Sequence, residues 1–269
     1  MKILIYIATW QRIEITKICY KNLHHFIAQN PQYTFEVMIV CSETEHVVLA
    51  KQNSFHTCLT DNFPIGAKLN YGLQQAMALS WDYMMQIGSD DVLNPEILHH
   101  YLPYTQQNHH IIGVNSCIYI DMATKQAKEF IYAEPNKIIG AGRLISRWAI
   151  ETASVCYTVS TNCQMSDGDI KIYRNTPIQL PATKANSLIE SGHATLVNNT
   201  AIVKLWKDEA NLALDHYSQL QLTRAGYHPT CLQISWMVFD LKSETNIWAF
   251  TDLPGEEVPY KKALAHIKI

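Results

Sequence analysis

The chain has 269 residues, 48% of them hydrophobic and 17% charged, with a net charge of −3. That length buries a sizeable core, the composition is that of an ordinary globular protein rather than a disordered or fibrous one, and the charge excludes a globally basic surface for nucleic acid or anionic lipid. Seven cysteines lie scattered with no C-x-x-C spacing, which excludes a zinc ribbon or thioredoxin motif and fits reduced thiols in a cytoplasmic protein.

The first run, Ile3 to Ala8, is continuously apolar, and Gln11, Arg12 and Glu14 follow at once. It reads as a parallel strand covered on both faces rather than as a signal peptide. No stretch of about 18 or more apolar residues occurs, so no transmembrane helix is expected. Ile15 to Gln29 carries Ile15, Ile18, Cys19, Leu23, Phe26 and Ile27 at helical spacing. Phe35 to Cys41 is a second predicted strand, His46 to Gln52 a short helix, and His56 to Leu59 a third strand. Pro64 and Gly66 introduce a helix from about Ala67 to Leu79, with Leu69, Leu73, Ala76 and Met77 on its buried face. Tyr83 to Ile87 is a fourth strand, and Pro95-Glu96 opens another helix. Repeated strand-helix-strand units predict an α/β fold, a mostly parallel sheet with helices on both faces, whose ligands gather at the carboxyl ends of the strands.

The second half is less regular. Ile111 to Ile120 and Phe130 to Tyr132 are expected to pair around the turn at Met122-Ala123-Thr124. Residues 160–199 are polar and Thr/Asn-rich and read as an insertion of loops and short strands. Ala210 to Ala225 returns to helix and stops at Gly226. The tail after Asp252 reads as loop with a short terminal helix.

The chemistry centres on Gly88-Ser89-Asp90-Asp91, directly after the fourth strand. Adjacent carboxylates repel and raise each other's pKa. A divalent cation such as Mg²⁺ or Mn²⁺ removes that cost and can bridge a carboxylate to a diphosphate. These four residues fit equally a plain cap for the helix near Pro95, and on their own they leave both readings open.

The surrounding pattern resembles a known family. Pro64-Ile65-Gly66-Ala67-Lys68-Leu69-Asn70-Tyr71-Gly72-Leu73, followed by Trp81-Asp82-Tyr83 and closed by G-S-D-D-V-L-N-P-E, is similar to the GT-A glycosyltransferases, in particular their large inverting family 2. Ile7-Ala8-Thr9-Trp10-Gln11-Arg12 resembles the first strand and loop of that family, and the resemblance covers most of residues 1–100. It implies a single GT-A (Rossmann-like) domain over 1–269. A nucleotide-sugar-binding half would span about 1–125, and an acceptor-binding half about 126–269. It implies a donor site at Ala8, Thr9, Arg12, Glu43, Lys68, Asn70, Ser89, Asp90 and Asp91, with Mn²⁺ or Mg²⁺ on Asp90 and Asp91. Gly140, Ala141, Gly142 and Arg143 look like the segment under the acceptor, and Asp215 like the catalytic base.

The implied reaction is metal-assisted, inverting transfer of a hexosyl group from a nucleoside-diphosphate sugar, of UDP type, to a hydroxyl of a glycan, lipid-linked or protein acceptor. The family often has Asp where Gly88 stands, so the D-x-D motif is degenerate. Two other readings remain: a sugar-nucleotide nucleotidyltransferase, against which Thr9-Trp10-Gln11-Arg12 lacks the glycine-rich phosphate loop, and a non-catalytic binding domain of the same fold. No G-x-G-x-x-G follows an early strand, which argues against a dinucleotide-dependent dehydrogenase.

Overall fold

The apolar run that opens the chain is a strand, β1 (Lys2–Thr9), with Ile3, Leu4, Ile5, Tyr6 and Ile7 all buried. Side chains alternate across a strand, so both of its faces are covered. The computed structural model describes residues 1–167, 170–210, 214–242 and 250–268. After β1 come α1 (Ile13–Ala28), β2 (Thr34–Cys41), α2 (Thr44–Gln52), β3 (His56–Leu59), α3 (Ile65–Ala76), β4 (Tyr83–Gly88), β5 (Asp91–Leu93) and α4 (Ile97–Gln106). There follow β6 (Ile111–Val114), β7 (Ser116–Asp121), β8 (Gln126–Ile131), β9 (Arg143–Ser146), α5 (Arg147–Ser154), β10 (Val155–Thr161), β11 (Met165–Asp167) and β12 (Ile170–Ile172). The chain then forms β13 (Pro177–Pro181), α6 (Ala182–Glu190), β14 (Ala194–Val203), α7 (Leu214–Arg224), β15 (Thr230–Leu232) and β16 (Val238–Lys242). A 3-10 turn (Phe250–Asp252), β17 (Glu256–Glu257) and α8 (Tyr260–Leu264) complete it. Among the described residues no helix is long and apolar enough to cross a membrane.

Two compact units divide the chain: Met1–Asn62, Gln75–Ser146 and Pro229–Ile269 form the first, Phe63–Gln74 and Arg147–His228 the second. The first contains a seven-stranded sheet in the order β15-β6-β9-β4-β1-β2-β3. Every pairing in it is parallel except the two made by β9. This is the mostly parallel α/β sheet expected from the alternating strand and helix patterns. Ile3, Ile5, Ile7, Ile39 and Ile87 share one core cluster with Tyr20, Leu23 and Phe26 of α1 and with Ile97, Leu98 and Tyr101 of α4. Each such side chain contributes about 1.5–3 kcal/mol by leaving water.

A second sheet in the same unit runs β17-β8-β7-β16-β5. The expected strand pairing forms here as β7 against β8, with Cys117 opposite Phe130. The single run expected from Ile111 to Ile120 is broken at Asn115, which lies between β6 in the large sheet and β7 in the second. Asn115 is buried, and its backbone groups bond Leu232 and Tyr132. β5 leaves β4 after only the Ser89-Asp90 turn, and β16 lies antiparallel to it, with Asp240 opposite Asp91.

The second unit is more ordered than the polar sequence of 160–199 suggests. β13, β10 and β14 form an antiparallel sheet. Val159, Leu180 and Ala194 from that sheet pack with Ala185 and Leu188 of α6. A small sheet needs only a few inward apolar residues, and the outward polar ones hide the alternation. Residues 168 and 169 of this stretch lie outside the described residues. So do 211–213 at the start of the helix expected from Ala210. That helix ends as expected, and Gly226 follows at φ +90, a conformation that glycine adopts without steric cost.

Candidate active site

Strand register levels the carboxyl ends of the central strands in the first unit. Ala8 lies opposite Gly88 on one side and Val40 on the other, and Thr9 lies opposite Cys41. Ser89 and Asp90 form the turn beyond β4, and Asp91 begins β5. Asp91 is buried, and its carboxylate accepts the Gly88 N–H. The antiparallel pairing of β16 brings in a third carboxylate, Asp240, and one oxygen from each of Asp90, Asp91 and Asp240 lies within 4.8 Å of the others. Position 88 leaves no space for a side chain. A Cβ there would stand 2.8 Å from Asp90 Oδ1 and 2.9 Å from Asp91 Oδ2, so the existing carboxylates fill the space.

Two side-chain cations touch this cluster. Arg12 Nη1 is 2.5 Å from Asp90 Oδ2, and Arg12 Nη2 is 3.4 Å from Ser89 Oγ. Lys242 Nζ is 2.6 Å from Asp240 Oδ2. Burial, then Asp240 and Asp90, pushes the Asp91 carboxyl well above the usual range. Burial, then Asp90, pushes Asp240 up to about 6 against the pull of Lys242. Burial lowers the Lys242 pKa, but the carboxylates of Asp240, Asp90 and Asp91 outweigh it and raise the ammonium above its ordinary value. Both members of the Asp240–Lys242 pair thus shift upward, Asp240 chiefly through burial and Lys242 through the surrounding carboxylates. Asp240 Oδ1 is buried and has no hydrogen-bond partner among the described residues. An all-carboxylate donor set with an orphaned buried oxygen and residual negative charge fits a hard divalent cation.

The turn after β1 delivers Arg12. Gln11 and Arg12 stand at φ 53 and φ 50, a left-handed conformation costing about 1–2 kcal/mol for each non-glycine residue. Glu43 Oε2 accepts the Gln11 N–H at 2.7 Å, and His46 Nε2 lies 2.8 Å from Gln11 O. Ala8, Thr9, Arg12, Glu43, Ser89, Asp90 and Asp91 therefore gather at one end of the first unit's sheet, with Thr9 buried.

The other expected site residues are placed differently. Gly140, Ala141, Gly142 and Arg143 lead into β9 within the first unit. There Gly142 N–H donates to Gln86 O at 2.8 Å, and Tyr101 Oη donates to Gly142 O at 3.1 Å. Gly142 adopts φ +73, and Arg143 is buried 3.4 Å from Gln86 Oε1. Lys68, Asn70 and Asp215 belong to the second unit. Lys68 and Asn70 are buried on α3. The Asn70 amide donates to Trp206 O and Asp208 Oδ1, both at 2.7 Å, and accepts from Leu205 N and Trp206 N at 3.0 Å. Asp215 is exposed in the first turn of α7.

Sequence reasoning missed Asp240, Lys242 and His46. The first two had a signal: charged residues at i and i+2 inside the run Val238-Phe239-Asp240-Leu241-Lys242, on one face of an apolar strand. His46 had none, since a lone histidine on a short helix is ordinary.

Known protein families yield no matching model, and no curated protein matches. Among solved structures, S. aureus TarS 1-349 in complex with UDP-GlcNAc is similar at a TM-score of 0.46 and 14% identity, over 91% of this chain and 60% of that one. A longer S. aureus TarS structure gives 0.48 and 15%, over 90% and 37%. CMP:2-keto-3-deoxy-manno-octonic acid synthetase complexed with CTP gives 0.40 and 12%, over 99% and 97%. The chain thus spans under two thirds of either TarS chain.

Proposed function

We propose that the chain is a glycosyltransferase that moves a sugar from a nucleoside-diphosphate sugar, of UDP type, to an acceptor hydroxyl with inversion. The observation that carries this reading is the cluster of Asp90, Asp91 and Asp240, joined by Arg12, at the carboxyl ends of parallel strands, where open α/β sheets bind ligands. Ala8, Thr9 and Ser89 border the same end and would line the nucleotide. Asp90, Asp91 and Asp240 would hold Mn²⁺ or Mg²⁺. That cation supplies neutralisation of the diphosphate as negative charge develops on the leaving group.

This chain's own residues supply the rest. Arg12 is planar and permanently charged, so it can exchange its single contact with the Asp90 carboxylate and its contact with Ser89 for a two-pronged grip on a phosphate. Lys242 opposes the upward shift of the Asp240 carboxyl and so favours its ionised form, the one that can serve as a ligand. Asp215, open to solvent, would take the proton from the attacking hydroxyl. Gly140, Ala141, Gly142 and Arg143 would support the acceptor through the backbone of the β9 turn, Arg143 itself being turned into the core.

Thermal denaturation with UDP, with and without Mn²⁺, tests the reading, because a ligand that binds the folded state raises Tm. UDP should raise Tm in the presence of Mn²⁺ and do so much less without it. No response to UDP or to any other nucleoside diphosphate with Mn²⁺ present would rule the reading out.

A further inference from the structure

The turn that carries Arg12 is held in a conformation its own sequence disfavours. Gln11 and Arg12 are consecutive non-glycine residues with positive φ. Arg12 also occupies the position that heads α1, with no side-chain cap, where Ser, Thr, Asp or Asn is favoured. The compensation comes from the start of α2. Glu43 Oε2 accepts the Gln11 N–H at 2.7 Å, and His46 Nε2 lies 2.8 Å from Gln11 O. A carbonyl oxygen only accepts, so this ring nitrogen carries the hydrogen. His46 is 1% exposed and lies 3.3 Å from Glu43 Oε2, so it backs the carboxylate from inside the protein. The two side chains satisfy both backbone groups of Gln11 and thereby fix the direction in which Arg12 leaves the turn, toward Asp90 and Ser89.

We infer that Glu43, backed by His46, is a positioning residue: it acts on the donor site through Arg12 by holding the Gln11-Arg12 turn left-handed, and does not itself contact the nucleotide. The inference rests on the donor-site reading above and gives Glu43 a task other than the direct donor contact that the resemblance implies. Glu43 is 40% exposed, so its replacement leaves the core intact.

The test uses the whole chain. In metal-free protein, the side-chain carboxyl ¹³C resonance of Asp90 is followed in Glu43→Ala, Glu43→Gln and Arg12→Ala. Glu43→Ala should move it to where Arg12→Ala places it. Glu43→Gln, whose amide oxygen still accepts the Gln11 N–H, should restore the wild-type position. An Asp90 resonance unmoved by Glu43→Ala overturns the inference. UDP is then titrated with Mn²⁺ into the same variants and into the double variant. Glu43→Ala should weaken binding by about ten- to a hundredfold, the loss expected when a charge-assisted contact is removed, and should add nothing on top of Arg12→Ala. An undiminished further loss in the Arg12→Ala background means that Glu43 touches the ligand directly, and also overturns it. Should wild type bind no UDP, the donor-site reading fails, and the Asp90 resonance alone decides the role of Glu43.

Discussion

Replacing Asp240 with Asn asks whether the carboxylate cluster is overcharged in the absence of a cation. Burial first, and Asp90 second, raise this carboxyl from the ordinary 3.8 to about 6, while Lys242 opposes them. A folded-state pKa above the unfolded one means that the folded protein binds the proton more tightly. Stability is therefore greatest below about 3.8 and falls as pH rises through the window up to about 6. The interval corresponds to about 3 kcal/mol of stability withheld at neutral pH. Asn removes the charge and keeps the shape, but it also removes the partner 2.6 Å from Lys242, which returns part of the gain. The expected net effect is a stabilisation of about 1–2 kcal/mol at pH 7.5, or several degrees of Tm for a chain of this size, shrinking toward zero near pH 4. Urea unfolding of metal-free wild type and variant at the two pH values measures it. A variant less stable than wild type at pH 7.5, or equally shifted at both pH values, would refute the reasoning.

Gly142→Ala places a Cβ 3.0 Å from Leu93 Cδ2 on a residue at φ +73; a loss of about 1–2 kcal/mol is expected from the backbone alone, and urea unfolding checks it. Asn70→Ala strips Leu205, Trp206 and Asp208 of their shared buried amide, so a loss of about 2–4 kcal/mol is expected, visible as a lower Tm without any ligand. Asp215→Asn keeps size and polarity on an exposed helix start; Tm and donor affinity should hold while transfer falls by about 10²- to 10⁴-fold. Transfer at the wild-type rate would remove Asp215 from the mechanism.

The sequence made the central sheet legible because fully buried parallel strands are unbroken apolar runs. Ile3 to Ala8 reappears as β1 on that ground, whereas His56 to Leu59, which reappears as β3, is a short and largely exposed edge strand. β9 escaped notice because it opens with a buried Arg143 and runs only to Ser146, giving no apolar run to read. The order within 160–199 was hidden for a different reason: its small sheet and α6 rest on few inward residues amid many polar ones. Two of the three carboxylates of the cluster were visible, since Asp90 and Asp91 are adjacent after an apolar strand. Asp240 was not, because only the antiparallel register of β16 against β5 sets it opposite Asp91, and register between distant strands leaves no local mark. Gly88 reads as a lost ligand in the sequence, yet in the fold it is the residue that leaves room for two carboxylates.

The central claim is that the carboxylate cluster at the strand ends supports turnover of a nucleotide sugar. The direct measurement is release of free nucleoside diphosphate from a panel of UDP-, GDP- and dTDP-sugars with Mn²⁺, in wild type and in Asp90→Asn. The account predicts slow nucleoside-diphosphate release from at least one donor, even to water, and its loss in Asp90→Asn at unchanged Tm. Release that is undiminished in Asp90→Asn, or pyrophosphate appearing from a nucleoside triphosphate and a sugar phosphate instead, would contradict it.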